Sequence, residues 1–168
     1  IIVGNEFLDC MSVRQLVRAG QDWRERQIGL AGGETFAVGL GPVVELPRDV
    51  VPEGDNVEVG PALETLVEAV ARRFRDAPGR ALFIDYGPSD PSPADTLRSY
   101  RLGKQIDPLA EPGLSDLTAD VDFSRLLRIA EREGLAVHGP VGQGEFLQRL
   151  GAQERPKSLA PANPRRRA

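Results

Sequence analysis

The chain has 168 residues, of which 40% are hydrophobic and 27% charged, with a mean hydropathy of -0.28 and a formal net charge of -4. That make-up belongs to a soluble globular domain able to bury a core, and its acidic balance argues against a nucleic-acid partner. The longest apolar runs are far too short to cross a bilayer. Cys10 stands alone, which rules out an internal disulfide and points to a reducing compartment, and one Cys with one His (His138) cannot build a His/Cys metal site.

The first predicted element is Ile1-Ile2-Val3-Gly4-Asn5-Glu6-Phe7-Leu8-Asp9. An apolar run ended by polar groups predicts a buried strand of a parallel sheet. Asn5, Glu6 and Asp9 then lie at its carboxyl end, where open α/β sheets hold their ligands. Such a strand needs neighbours, and no leader precedes it, so the expectation is the C-terminal part of a larger α/β enzyme. Residues 11–17 fit either a short helix or a strand. Residues 23–28 alternate, residues 30–34 turn the chain and residues 35–40 return, which predicts a β-hairpin. Residues 41–60 contain Pro42, Pro47, Pro52 and Gly54 and predict a loop with room for a short strand.

Pro61 suits the first turn of a helix, and Leu63, Leu66, Val67, Val70 and Phe74 give it one apolar stripe. Asp76-Ala77-Pro78-Gly79 ends it. Residues 81–87 predict a second buried strand that finishes in Asp85, Tyr86 and Gly87, and the strand–helix–strand rhythm predicts a parallel pair. A polar loop at 87–93, a short strand at 96–101 and a mostly irregular stretch at 107–119 follow. Asp122 reads as the N-cap of a helix with Phe123, Leu126, Leu127 and Ala130 inward and Gly134 as its stop. Residues 135–138 predict a third strand and residues 145–150 a last short helix. Residues 152–168 set Arg155, Lys157, Arg165, Arg166 and Arg167 against Glu154, with three prolines, and read as a basic disordered tail.

Several groups could carry chemistry. Glu6 and Asp9 could cap the next segment in solvent; with Asn5 they could equally grip a cation, a guanidinium above all, because carboxylates accept paired N–H donors. Asp85, followed by Tyr86, could bind substrate or anchor the following turn. Residues 139–144 follow a predicted strand, but their glycine spacing matches neither a dinucleotide fingerprint nor a P-loop, so a structural turn is the better reading. Asp107, Asp116, Asp120 and Asp122 fit no calcium loop, and no metal is expected.

Read together, Asn5-Glu6-Phe7-Leu8-Asp9 with Val13-Arg14-Gln15, Trp23-Arg24-Glu25-Arg26, Phe83-Ile84-Asp85-Tyr86-Gly87, the stretch from Asp107-Pro108-Leu109 to Asp122-Phe123, and His138-Gly139-Pro140-Val141 with Gly144-Glu145-Phe146-Leu147 resemble the MidA family of S-adenosylmethionine-dependent methyltransferases. The resemblance spans about residues 1–157. It implies an α/β fold, a partial Rossmann-like class I methyltransferase sheet with a hairpin inserted at about residues 20–60. Residues 1–151 would be the C-terminal part of the methyltransferase domain. The glycine-rich cofactor half would lie upstream, and the last strand would be absent. It further implies S-adenosylmethionine as cofactor, not tightly held by this stretch alone, with Asn5 near its methionine end. Glu6 and Asp9 would orient a substrate arginine, and Asp85 and Tyr86 would make weaker substrate contacts. The implied partner is a protein, for mitochondrial members a core subunit of respiratory complex I. Self-association is expected of an uncovered sheet. The implied setting is the bacterial cytoplasm, or the mitochondrion for eukaryotic relatives.

Overall fold

The computed structural model describes residues 1–48, 50, 52, 54–88 and 95–159, the side chains at 157 and 158 excepted. Most of the polar loop expected at 87–93, and residues 160–168 of the expected tail, lie outside the described residues. The chain divides into two compact units, Ile1–Val137 and His138–Ala168.

In the first unit, β1 (Ile2–Asn5) pairs in parallel with β6 (Ala81–Ile84), running from Ile2 opposite Ala81 to Asn5 opposite Ile84. The parallel pairing agrees with the apolar runs, but the expected burial does not hold. Val3 is 63% and Leu82 40% exposed, because each strand has only the other as sheet partner among the described residues. Gly4 faces the Phe83 ring so closely that a Cβ would sit 2.8 Å from it.

Between these strands the chain builds a four-stranded antiparallel sheet in the order β4-β3-β2-β5, from β2 (Arg14–Ala19), β3 (Asp22–Ala31), β4 (Thr35–Val44) and β5 (Asn56–Val59). The ambiguity at residues 11–17 resolves as strand, because Leu16 must enter the cluster formed with Val57 and Val59, over which Trp23, Val44 and Leu46 pack. The predicted hairpin is present but longer than expected, since β4 runs on past Pro42 to Val44, while the rest of the described residues in 41–60 matches the expected loop with one short strand, β5. β2 covers β3 only as far as Glu25. Beyond a bulge between Arg24 and Arg26, β3 and β4 pair with each other alone, out to Ala31 opposite Thr35. Ile28, Leu30, Val38 and Leu40 on this outer half are each more than half exposed.

Helix α1 (Pro61–Asp76) buries Leu63, Val67, Val70 and Ala71, close to the predicted stripe. Helix α2 (Phe123–Arg132) starts as predicted, with Asp122 accepting the Arg125 N–H at 2.8 Å, and Gly134 follows it in a left-handed conformation. The two helices meet through Val67, Leu126, Ile129 and Ala130, while Glu64 on α1 takes Arg132 at 2.8 Å and Arg125 at 3.4 Å. Residues 135–138 are not a strand. They have no sheet partner among the described residues, and Leu135 and Val137 instead pack on the helix pair. A third, antiparallel sheet, β8-β7-β9, comes from β7 (Arg98–Arg101), β8 (Lys104–Ile106) and β9 (Asp116–Thr118), the last inside a stretch expected to be loop.

The second unit holds α3 (Gln143–Arg149) and α4 (Arg155–Leu159). The helical turn of α4 replaces the start of the tail expected to be disordered. No helix among the described residues is long and apolar enough to cross a membrane.

Candidate functional site

The site forms where β1 and β6 end side by side. The Glu6 N–H donates to the Ile84 carbonyl at 2.9 Å, and Glu6 adopts φ 45, a left-handed conformation uncommon outside glycine. The chain then folds around the Asp85 side chain. One carboxylate oxygen, Oδ2, accepts the N–H groups of Phe7 at 3.0 Å, Leu8 at 2.8 Å and Asp9 at 3.3 Å, while Oδ1 accepts the Tyr86 N–H at 3.0 Å. Leu8 anchors the loop from below by packing with Leu63 and Val121. The segment after β9 bridges both strand ends, with the Ala119 N–H bound to the Asp9 carbonyl and the Val121 N–H to the Tyr86 carbonyl, each at 3.0 Å. That close approach explains Gly87: a Cβ there would lie 2.1 Å from the Val121 oxygen.

Asp9 belongs to a compact polar cluster. Its Oδ2 lies 2.6 Å from the Tyr86 hydroxyl and 2.7 Å from the Thr118 hydroxyl, and the two hydroxyls also touch; with one proton on each hydroxyl, two of these three contacts are hydrogen bonds at any moment. Desolvation, and then the hydrogen bond to the Asp9 carboxylate, push the Tyr86 phenol up to about 12, so it stays protonated as a donor at neutral pH.

Asn5 and Glu6 are exposed, and neither side chain makes a hydrogen bond or ion pair among the described residues. The structure therefore gathers all five sequence candidates at one end of the parallel pair and divides them by engagement. Asp85 is saturated by backbone, Asp9 and Tyr86 bind each other, and Asn5 and Glu6 remain available. Of the two readings left open for Asp85, the geometry matches anchoring, of the loop after β1 more than of its own turn.

Sequence reasoning missed Thr118, whose position in an expected loop hid it. It also missed a second polar cluster, in which Glu58 accepts Gln15 at 2.7 Å and both the N–H and hydroxyl of Thr96, at 3.0 and 2.5 Å. The Thr96 hydroxyl in turn accepts the Asp120 N–H at 2.9 Å, and Asp120 holds Arg98 at 2.5 Å, raising the guanidinium pKa. The alternation of Asn56-Val57-Glu58-Val59 was the available signal, since it leaves Glu58 facing away from the core. Three of the four aspartates considered as a metal cluster have other uses: Asp120 pairs with Arg98, Asp122 caps α2, and Asp107 accepts the Leu109 N–H. Residues 139–142 precede α3, which takes in Gln143 and Gly144, and no strand leads into them, so the strand-to-helix setting of a phosphate cradle is not formed.

Free amide and carboxylate groups on a pinned turn at the carboxyl ends of parallel strands suit one wall of a ligand crevice. They offer hydrogen bonds to a polar small molecule and a negative charge to a cation.

Residues 1–141 match the family of putative S-adenosyl-L-methionine-dependent methyltransferases, and the chain belongs to that family. It is 32% identical over 167 residues to the mitochondrial protein arginine methyltransferase NDUFAF7 homolog of Caenorhabditis elegans, and 36% identical over 171 residues to that of Drosophila melanogaster; each match covers 95% of this chain and 39% of the relative. The NDUFAF7 of Xenopus tropicalis is 35% identical over 163 residues, 94% of this chain and 37% of that protein. The chain thus spans about two-fifths of the length of these curated relatives. Among crystal structures, a likely methyltransferase of the COG1565 superfamily from Burkholderia thailandensis, bound to S-adenosyl-homocysteine, superposes with a TM-score of 0.77 at 26% identity, over 98% of this chain and 45% of that one.

Proposed function

We propose that this chain supplies the substrate-facing wall of an S-adenosylmethionine-dependent protein methyltransferase that modifies arginine. The observation that carries the reading is the pair of unengaged side chains, Asn5 and Glu6, exposed on a turn pinned at the ends of two parallel strands in a member of a methyltransferase family. The remainder of the sheet, with the cofactor's glycine-rich loop, would come from the rest of a protein as long as the relatives. That arrangement also accounts for the exposure of Val3 and Leu82, which further strands would cover.

When bound, S-adenosylmethionine supplies a methyl group on a sulfonium sulfur. Asn5 would hydrogen-bond near its methionine end. Methyl transfer is an in-line displacement that depends on alignment and on exclusion of water. Arginine stays protonated in water, so Glu6 would localise the guanidinium charge and accept the proton released as the new bond forms. Asp9, whose Oδ1 makes no hydrogen bond among the described residues, would assist in orienting it. Tyr86 would bound the substrate side. The proposed substrate is a protein, with a core subunit of respiratory complex I as the candidate that the family resemblance implies, and the proposed setting for a bacterial member is the cytoplasm.

Glu6→Gln in the longer protein is expected to slow methyl transfer on the order of a hundredfold, read as tritiated methyl incorporated into the protein substrate. Normal incorporation by that variant would refute the role. Calorimetry with S-adenosylmethionine is expected to detect no binding to the 168 residues alone and clear binding to the longer protein. Tight binding to the isolated chain would overturn the idea of a shared site. A second reading, a non-catalytic interaction fragment, is favoured by the open parallel pair and by the uncovered hairpin, and methyl incorporation by the longer protein and its loss in Glu6→Gln separate the two.

A further inference from the structure

We infer that Asp85 is the positioning residue of the site: its carboxylate fills a nest made by three successive backbone N–H groups, those of Phe7, Leu8 and Asp9, and so fixes the turn that presents Asn5 and Glu6. The clamp stands on distances alone, and it rests on the methyltransferase reading only for what the turn is used for.

Successive N–H groups of an extended chain point in opposite directions, so three can converge on one oxygen only where the backbone curls into a concave cup. Such cups bind anions, and here the anion is a side chain from the neighbouring strand. The donors lie at 3.0, 2.8 and 3.3 Å from the same Oδ2. Glu6, the residue just before the cup, holds φ 45, a conformation that persists in a non-glycine residue only when its surroundings impose it. Two constraints impose it: the Glu6 N–H on the Ile84 carbonyl on one side, and the Asp85 cup on the other. The second carboxylate oxygen is taken by the Tyr86 N–H, so Asp85 has a backbone donor on each oxygen. An asparagine would present a donor to one of these two sets of N–H groups, and an alanine would leave the cup empty.

The test begins with the 168-residue chain. In the wild type the amides of Phe7, Leu8 and Asp9 should resist hydrogen exchange. Asp85→Ala should speed their exchange by about tenfold or more, excess formate should restore protection by refilling the cup, and Asp85→Asn should fall between the two. Glu6→Gln should leave these amides unchanged. In the longer protein, Asp85→Ala should lower kcat far more than it raises the KM for S-adenosylmethionine, with formate recovering part of the loss. Glu6→Gln should gain nothing from formate. Should Asp85→Ala fail to fold, Asp85→Asn carries the test, and unchanged exchange at residues 7–9 in a folded Asp85→Asn protein overturns the inference. Exchange that is equally fast in the wild type and in Asp85→Ala, or formate that restores neither protection nor rate, overturns it too. If protection and its rescue appear while the wild-type longer protein transfers no methyl group, the clamp stands and the methyltransferase reading falls.

Discussion

The β1–β6 pair and the outer half of the β3–β4 hairpin are both two-stranded, and two strands alone are marginal in water. They differ in what supports them. At the end of β1–β6, four backbone N–H groups close on Asp85, three side chains share hydrogen bonds around Asp9, and Leu8 is tucked against α1 through Leu63. In the outer hairpin Arg26 at its base is held by Asp95 at 2.8 Å, but beyond it the ladder bonds and the facing pairs Ile28–Val38 and Leu30–Phe36 are the support found among the described residues, and those side chains stay largely exposed. A polar crosslink to backbone thus fixes a loop that has little apolar burial of its own. An apolar ladder without a cover holds its register and leaves its surface unsatisfied. The first suits a place where geometry must hold to a fraction of an ångström; the second leaves a run of apolar side chains in water.

The sharpest way to break this contrast uses glycine. Gly87→Ala drives a Cβ to 2.1 Å from the Val121 oxygen, so the β6 end and the 119–121 segment must move apart, and a loss of about 3 kcal/mol is expected from denaturant unfolding. Gly39→Ala on the hairpin meets nothing within 4 Å and should change stability by less than about 1 kcal/mol. Equal effects at the two positions would erase the distinction.

A smaller effect is expected from Thr118→Val, which keeps the shape of the side chain and removes the hydroxyl that bonds Asp9 and Tyr86. The cost should be about 1–2 kcal/mol, whereas Ile28→Thr on the hairpin should stay within about 0.5 kcal/mol. Differential scanning calorimetry on both variants would decide the order.

Much of this was legible in the residues, for reasons that differ by region. The stripe of α1, the Asp122 cap and the hairpin alternation are local patterns, and local patterns are written along the chain. Pairing of β1 with β6 could be read because both apolar runs end in carboxylates on either side of a helix. What could not be read needed contacts distant in sequence. Residues 135–138 look like a strand by composition, but strand status depends on a neighbour, and Val137 found a helix pair instead. Thr118 reaches Asp9 from 109 residues away, and the Asp85 cup joins residues 77 apart at its shortest bond. Asp85 was visible as a candidate; whether it faced ligand or backbone was not.

Substituting the hairpin surface should leave stability nearly unchanged and alter association. Leu30→Lys with Val38→Lys places charge on the uncovered face, and unfolding should shift by less than about 0.5 kcal/mol. We expect the wild-type chain to elute from size exclusion as concentration-dependent larger species and the double variant to move toward the monomer, because an uncharged, exposed edge and face invite pairing. A wild type that runs as a monomer at every concentration would mean that the outer hairpin is soluble as it stands.

The subtlest expected difference lies at high pH and tests the polar cluster alone. Tyr86 is 42% exposed, yet its phenol is pushed up to about 12 from an ordinary value near 10. In the unfolded chain this group loses its proton first. Its contribution is therefore complete below pH 10 and fades as the pH climbs from about 10 through about 12, since the unfolded state gains charge that the folded state resists. Tyr86→Phe lacks the hydroxyl and should lack that limb, so the wild type's advantage over it should narrow steadily above pH 10. Unfolding midpoints of the two proteins, compared at several pH values across that interval, isolate the effect because Tyr100 is common to both. Parallel curves would mean that the phenol titrates alike in the folded and unfolded chain, so that neither desolvation nor the Asp9 carboxylate holds its proton, and the cluster would lose its claim to be a tighter support than the hairpin ladder.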